Sequence, residues 1–62
     1  MKYGLKDITA PFIQFEGTLA ECVRMAKGMG LCAIYRSESN GWHTVAVRYF
    51  SKFTLAKNIV NI

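Results

Sequence analysis

The sequence predicts an α+β fold in which a small antiparallel β-sheet is packed by one α-helix. The expected order is strand, helix, strand, strand, followed by a C-terminal helix or strand. Three observations predict this order: the segment from Thr18 to Gly30 has the start, apolar stripe and end of a short helix, apolar segments flank it, and Asn40-Gly41 follows. A chain of 62 residues suits one small domain, so residues 1–62 are expected to form a single unit.

One strand is predicted before the helix, at residues 12–15, and the first eleven residues, which lack clear periodicity, could add a short edge strand. Tyr3, Leu5 and Ile8 alternate loosely with polar residues, which is typical of a short edge strand. Pro11 has no N–H to donate to a ladder and therefore suits the start of an edge strand. Residues 12–15 have the composition of a second strand, and a glutamate and a glycine then end it.

The helix is the clearest local prediction. Thr18 can accept a hydrogen bond from the backbone of Glu21 while the Glu21 side chain reaches back, which is the reciprocal capping box. Apolar residues then recur at helical spacing on one face. They are Leu19, Cys22, Val23 and Ala26. We expect Gly28 or Gly30 to supply the left-handed residue that ends many helices.

A β-hairpin follows the helix. Residues 31–36 and 42–50 are rich in β-branched and aromatic side chains, and Asn40-Gly41 between them is a strong hairpin signal. The C-terminal residues 51–62 are ambiguous. The spacing of Leu55 and Ile59 favours a helix, whereas Ile59-Val60 could instead pair as a strand.

Two hairpin registers compete. A two-residue turn at Asn40-Gly41 places Arg36 opposite Val45, whereas a three-residue loop with Gly41 in a bulge places Tyr35 opposite Val45. We favour the second, because it collects apolar side chains on one face and separates them from cations. The apolar face then holds Leu31, Ala33, Tyr35, Val45, Val47 and Tyr49, and the other face Arg36, Thr44, Ala46 and Arg48. The predicted core is Phe12, Phe15, Leu19, Cys22, Val23, Ala26, Ala33, Tyr35, Val45, Val47 and Tyr49.

Composition indicates a cytoplasmic chain without a membrane partner. No stretch approaches the ~20 apolar residues that a transmembrane helix needs. Lys2 and Asp7 lie where a signal peptide would have its apolar core. Cys22 and Cys32 are expected to be small buried thiols. A disulfide between them is geometrically feasible if the helix packs over the strand that begins near Cys32. A homodimer would supply core that one small subunit lacks.

No residue set points to catalysis, so we expect a protein that is not an enzyme and has no catalytic, cofactor or metal site. His43 is the single histidine, and Glu38 is the only acid near it. Two cysteines and one histidine without paired C-x-x-C spacing do not make a zinc site. The Gly28-x-Gly30 pair follows a helix rather than preceding one, which is the wrong polarity for a dinucleotide site.

The charge is uneven and suggests an acidic partner. The formal net charge is +4, and all four acids lie within the first 38 residues. The C-terminal third is therefore basic, which favours nucleic acid or an acidic protein surface. Trp42, at the hairpin tip, is either a cap over the hairpin or a binding anchor. The predicted binding residues, for a partner protein or for nucleic acid, are Arg36, Trp42, Arg48, Lys52 and Lys57.

The layout resembles that of small phage-encoded accessory proteins. The run from Phe15 to Lys27, the glycine break and the hairpin carry this resemblance, which covers about residues 12–50. Such proteins include anti-CRISPR proteins and inhibitors of host RNA polymerase. The resemblance implies a non-catalytic module that binds and inhibits or modulates a host protein complex in the host cytoplasm. It carries no specific motif, so no functional residue is transferred. The alternative function is a small basic nucleic-acid-binding protein.

Overall fold

Five strands and one helix make up the described part of the chain. The computed structural model describes residues 2–50 and 52–55, and it confirms the α+β class. The elements are β1 (Tyr3–Asp7), β2 (Phe15–Gly17), α1 (Leu19–Ala26), β3 (Leu31–Glu38), β4 (Gly41–Tyr49) and β5 (Lys52–Leu55). The strands form a single antiparallel sheet in the order β2-β1-β3-β4-β5, and α1 packs on one face of it.

Strand β1 lies inside the sheet, and its prediction as an edge strand is wrong. It pairs with β2 on one side and with β3 on the other. Strand β2 begins at Phe15 rather than Phe12, and it includes the two residues that were expected to end it. The error on β1 has a simple cause: its positions on one face are Gly4 and Lys6, which do not have the composition of a central strand.

The capping box forms as predicted. The Glu21 backbone N–H donates to Thr18 Oγ1 at 3.1 Å, and the Thr18 backbone N–H donates to Glu21 Oε1 at 2.8 Å. The expected left-handed glycine is absent at the helix end, because the one described glycine with positive φ is Gly41. The last turn tightens instead, with the Gly28 N–H bonded to the Met25 carbonyl at 3.1 Å.

A small core joins α1 to β1 and β3. Its buried residues are Leu5, Cys22, Ala26, Cys32 and Ile34, with Tyr3, Phe15, Val23, Met29, Val45 and Phe53 packed around them. The expectation of two buried thiols is confirmed, since Cys22 and Cys32 are both fully buried and free. The helix contributes a cysteine and an alanine at its contact with the sheet, and these short side chains let it lie close to the strands.

The helix covers the opposite sheet face from the one predicted. It packs on the face of Cys32 and Ile34, whereas Ala33 and Tyr35 point away from it. Tyr49 is therefore 54% exposed, whereas Ala33 is buried as predicted, with 2% exposure. Two other predicted core residues are exposed for a different reason, since neither lies on β3 or β4: Phe12 by 76% and Leu19 by 39%. Alternation could not assign the inner face of β3, because residues 31–35 are apolar or aromatic at every position.

The hairpin register agrees with the prediction at one end only. Ala33 pairs with Val47 as expected, but the register shifts after Ile34, and Tyr35 pairs with Thr44 rather than Val45. The shift is a β-bulge in which Val45 has no partner on β3. The Val45 side chain packs against the buried core on the helix side of the sheet. Pairing of Glu38 with Gly41 leaves a two-residue turn at residues 39–40.

The segment after β4 is a strand where it is described. Lys52–Leu55 pair with β4, so the predicted helix over residues 51–62 is wrong for these four positions. Phe50 makes the turn possible: it has a positive φ of 57°, and its N–H donates to the Gly30 carbonyl at 2.5 Å. The alternative strand at Ile59-Val60 falls outside the described residues.

Burial of Ile34 predicts where core truncation is costly. Ile34→Ala should lower the free energy of unfolding by about 2–5 kcal/mol, and Ile34→Val by about 0.5–1.5 kcal/mol. Tyr35→Ala should cost less than Ile34→Ala, because Tyr35 lies on the uncovered face. Urea unfolding followed by circular dichroism measures the three variants. A larger loss for Tyr35→Ala would mean that the helix covers the other face.

Glu21 predicts part of the acid dependence of stability. Hydrogen bonds from the Thr18 backbone N–H and then its side chain hold the pKa of the Glu21 carboxyl below its usual value. The carboxylate therefore stabilises the fold above about pH 4.3, and this contribution is lost as the pH falls through the lowered pKa.

Glu21→Gln should therefore flatten the fall in unfolding free energy between neutral and acid pH. Some acid dependence of the unfolding free energy should remain in that variant, because hydrogen bonds from Thr9 also lower the pKa of Asp7. Urea titrations at a series of pH values provide the measurement. An acid dependence equal to that of the unchanged protein would contradict a stabilising role for the Glu21 charge.

Candidate functional site

The candidate site lies on the sheet surface away from α1, which we call the helix-free face. Cross-strand pairing defines it: Lys6, Ala33 and Val47 are neighbours on this face, whereas Leu5 and Ile34 are neighbours on the helix side. Within the described residues, no helix or second sheet packs on this face, but the segment before β2 lies over part of it, so that Gly4 and Ala33 are buried. The remainder of the face is open. Its chemistry is therefore accessible to a partner.

An open groove of about 450 Å³ lies at one end of the helix-free face. The segment before β2 forms one wall, and β1, β3 and β4 form the floor. The lining residues are Lys6, Pro11, Phe12, Ile13, Glu16, Tyr35 and Trp42. An apolar centre with charged side chains at its border is the usual composition of a binding groove.

Gly4 sets the position of Trp42. A Cβ atom on Gly4 would lie 2.8 Å from Ile13 Cγ2 and 3.0 Å from Trp42 Cζ3, so both side chains would have to move to accommodate it. The missing side chain lets the indole ring and Ile13 meet over β1. Trp42 remains 37% exposed, so it both packs on the sheet and presents an accessible surface.

Two lysines lie beside the aromatic rings of this face. Lys2 Nζ is 5.8 Å from the centre of the Trp42 ring and 3.1 Å from Glu16 Oε1. Lys6 Nζ is 5.8 Å from the centre of the Tyr35 ring and donates to the Ala10 carbonyl at 3.0 Å. Among residues 2–50 and 52–55, Lys6 forms no ion pair. Its charge is available to an anionic group of a ligand.

The five residues predicted to bind a partner do not form one surface. Trp42 and Lys52 lie on the helix-free face, whereas Arg36 and Arg48 lie on the helix side. Lys57 falls outside the described residues. The split follows from strand alternation, because Arg36 pairs with His43 and not with Trp42.

The two arginines are already engaged on the helix side. Arg36 forms an ion pair with Glu38, and its Nε donates to that carboxylate at 2.6 Å. Arg48 lies with its guanidinium carbon 4.9 Å from the centre of the Phe53 ring, and its Nε donates to the Met29 carbonyl at 3.4 Å. Both cations therefore support the hairpin and its neighbouring strand rather than an open surface.

Sequence reasoning missed Lys2, Lys6, Phe12 and Ile13 as members of the site. The sequence analysis predicts Phe12 as a core residue and β1 as an edge strand, and therefore places neither in a binding surface. A usable signal was present, since Lys2, Gly4 and Lys6 alternate with apolar residues and must share one face of a strand.

The titratable groups on the helix side are dispersed. Burial raises the pKa of the Cys22 and Cys32 thiols, so both stay protonated at neutral pH. His43 Nε2 lies 2.6 Å from Asn40 Oδ1 and 3.7 Å from Glu38 Oε1 at the hairpin end. Cys32 lies four residues along β3 from the partner of His43, about 13 Å away. The Cys32 thiol and the His43 imidazole are therefore too far apart to act as a nucleophile and its general base.

The described residues hold neither a metal-binding cluster nor a membrane-spanning helix. No group of three or more His, Cys, Asp or Glu side chains in residues 2–50 and 52–55 could hold a metal ion. The described helix is too short and too polar to cross a bilayer. Comparison with family models, curated proteins and solved structures found no match.

Gly4→Ala should displace the indole of Trp42. The added methyl group would contact Ile13 and Trp42, and we expect a loss of about 1–3 kcal/mol in unfolding free energy with a red shift in fluorescence. The chain has a single tryptophan, so the emission reports this site alone. Gly28→Ala is the matched control, because its methyl group would meet only the Met25 carbonyl at 3.6 Å. Unchanged emission in Gly4→Ala would show that Trp42 does not pack there.

Proposed function

We propose that this protein is a non-catalytic binding module that attaches to a larger macromolecular complex through its helix-free face. One observation carries the proposal: an open groove on that face holds accessible aromatic side chains over a rigid sheet. The role that fits a module of this size is that of an accessory protein that inhibits or modulates the complex, as the resemblance to small phage proteins implies.

The residue types in the groove support a binding role. Phe12 is 76% exposed, and Tyr35 and Trp42 line the same groove. Tryptophan and tyrosine are enriched among the residues that carry most of the energy of protein interfaces. A large aromatic ring that is exposed beside a groove is typical of a surface that contacts a partner.

The floor of the groove supports tight binding because it is rigid. Strands β1 and β3 are both paired on two sides, and Gly4 and Tyr35 are direct neighbours in their ladder. Rigid floors lose little conformational entropy when a ligand binds. A small chain can therefore bind through shape and contact area, without catalytic residues.

The cytoplasm is the compartment that we propose. Cys22 and Cys32 are both free thiols inside the core, as reducing conditions favour. A host cytoplasm follows if the protein is phage-encoded.

Truncation of the groove aromatics should weaken capture of the partner complex. Phe12→Ala and Trp42→Ala should each lower recovery about tenfold or more in a pull-down from native lysate, because interface anchors typically contribute about 2 kcal/mol. Phe12→Ala should change stability by no more than about 0.5 kcal/mol, since its ring is exposed. Mass spectrometry of eluates with and without nuclease identifies what is retained.

Met25→Ala is the matched control for this experiment. Met25 is an exposed apolar residue on α1, on the opposite side of the sheet. Its truncation should leave recovery unchanged. Equal recovery with Phe12→Ala, Trp42→Ala and Met25→Ala would place the binding surface elsewhere on the molecule.

A further inference from the structure

We propose that the helix-free face binds single-stranded nucleic acid, with bases stacked on its aromatic rings and phosphates held by Lys2, Lys6 and Lys52. This inference rests on the proposed function, because it assigns the ligand of the same face. It differs from the surface predicted from sequence, since it replaces two arginines on the helix side with two lysines of the N-terminal segment.

The balance between acidic and basic side chains differs between the two sides of the sheet. Of the four acids in the chain, Asp7, Glu21 and Glu38 lie on the helix side. The helix-free face has one acid, Glu16, which pairs with Lys2. Lys6 and Lys52 form no ion pair with any described residue. The helix-free face thus has three described lysines against one acid, whereas the helix side has four cations against three acids, namely Arg24, Lys27, Arg36 and Arg48 against Asp7, Glu21 and Glu38. A polyanion is therefore attracted more strongly to the helix-free face.

Aromatic rings accompany these lysines along the face. Tyr35 and Trp42 lie at the groove end, and Tyr49, which is 54% exposed, pairs directly with Lys52 at the opposite end. Tyr49 also pairs with Leu31, which lies four residues from Tyr35, so the two tyrosines are about 13 Å apart. This length suits a short run of nucleotides, and alternating rings and cations are the usual means of holding one.

The contacts of Lys2 and Lys6 fit a stacked base with its phosphate. Each ammonium group lies 5.8 Å from the centre of an aromatic ring, Trp42 for Lys2 and Tyr35 for Lys6. A base that stacks on such a ring takes the place of the ammonium group over it, and the displaced lysine then holds the phosphate of that nucleotide. The ring and the cation thus act on adjacent parts of one nucleotide.

The geometry favours single strands over duplexes. Bases in a duplex are already stacked on one another, so the aromatic rings of a sheet face gain nothing from them. The three lysines alone are too few for tight binding of duplex by charge, because each neutralised phosphate contributes only a modest increment that salt removes.

Fluorescence anisotropy with labelled oligothymidylate and oligouridylate of about twelve nucleotides tests the inference. The unchanged protein should bind the single strand at least tenfold more tightly than a duplex of the same length. Trp42→Ala and Tyr49→Ala should each weaken binding about five- to hundredfold. Tyr49 is the second variant, should Trp42→Ala unfold the domain, because its ring is 54% exposed and its truncation is expected to cost little stability.

Lys6→Gln supplies the charge test, and Lys27→Gln is its control. Both remove one positive charge, but Lys27 lies at the end of α1 on the other side of the sheet. Lys6→Gln should reduce the slope of log affinity against log salt concentration by about 0.7, whereas Lys27→Gln should leave it unchanged. Equal effects of the two variants would overturn the inference, because they would indicate attraction by net charge alone.

The remaining outcomes separate this inference from the proposed function. Absence of binding to both oligonucleotides, or equal binding to duplex, overturns the assignment of single-stranded nucleic acid. The proposed function survives that result if Phe12→Ala still abolishes nuclease-resistant capture of a complex, and the ligand is then a protein. If neither oligonucleotide binding nor capture depends on the helix-free face, both proposals fail.

Discussion

The close contact between α1 and the sheet determines the rest of this structure. Cys22 and Ala26 are fully buried against the strands, and their short side chains allow eight helical residues to cover a core built around Leu5 and Ile34. A helix this short makes its main contacts with β1, β2 and β3. One face of the sheet is thereby closed at its centre, and much of the other is left to the solvent.

The separation of the two faces also separates two kinds of polar chemistry. On the helix side, several charged groups are paired with one another or with the backbone, as Arg36 is with Glu38 and Glu21 is with Thr18. On the helix-free face, Lys6 has only a carbonyl and a ring as neighbours. Its charge has no described acidic partner, which is why we propose an anionic ligand for this face.

Local signals predicted the helix and the hairpin, because capping and turn formation depend on residues close in sequence. The capping box of Thr18 and Glu21 is such a signal. The inner face of the sheet could not be predicted, since residues 31–35 are apolar or aromatic on both sides of the strand. The bulge at Val45 then changes which side chains share a face, and no local pattern marks it. The site was missed for the same reason, because Lys6 and Trp42 meet only through the pairing of β1 with β3 and of β3 with β4.

The central position of β1 has a consequence for the order of folding. The β3–β4 hairpin closes over a two-residue turn, an event of microseconds in isolated hairpins. Strand β1 must pair with β3 across a long intervening segment, from Asp7 to Cys32, and the entropy of closing that loop makes this step slower. The groove needs Gly4 and Lys6 from β1, so it is complete only after this non-local step. A folding intermediate that contains the hairpin alone would show native strand signals without any capacity to bind.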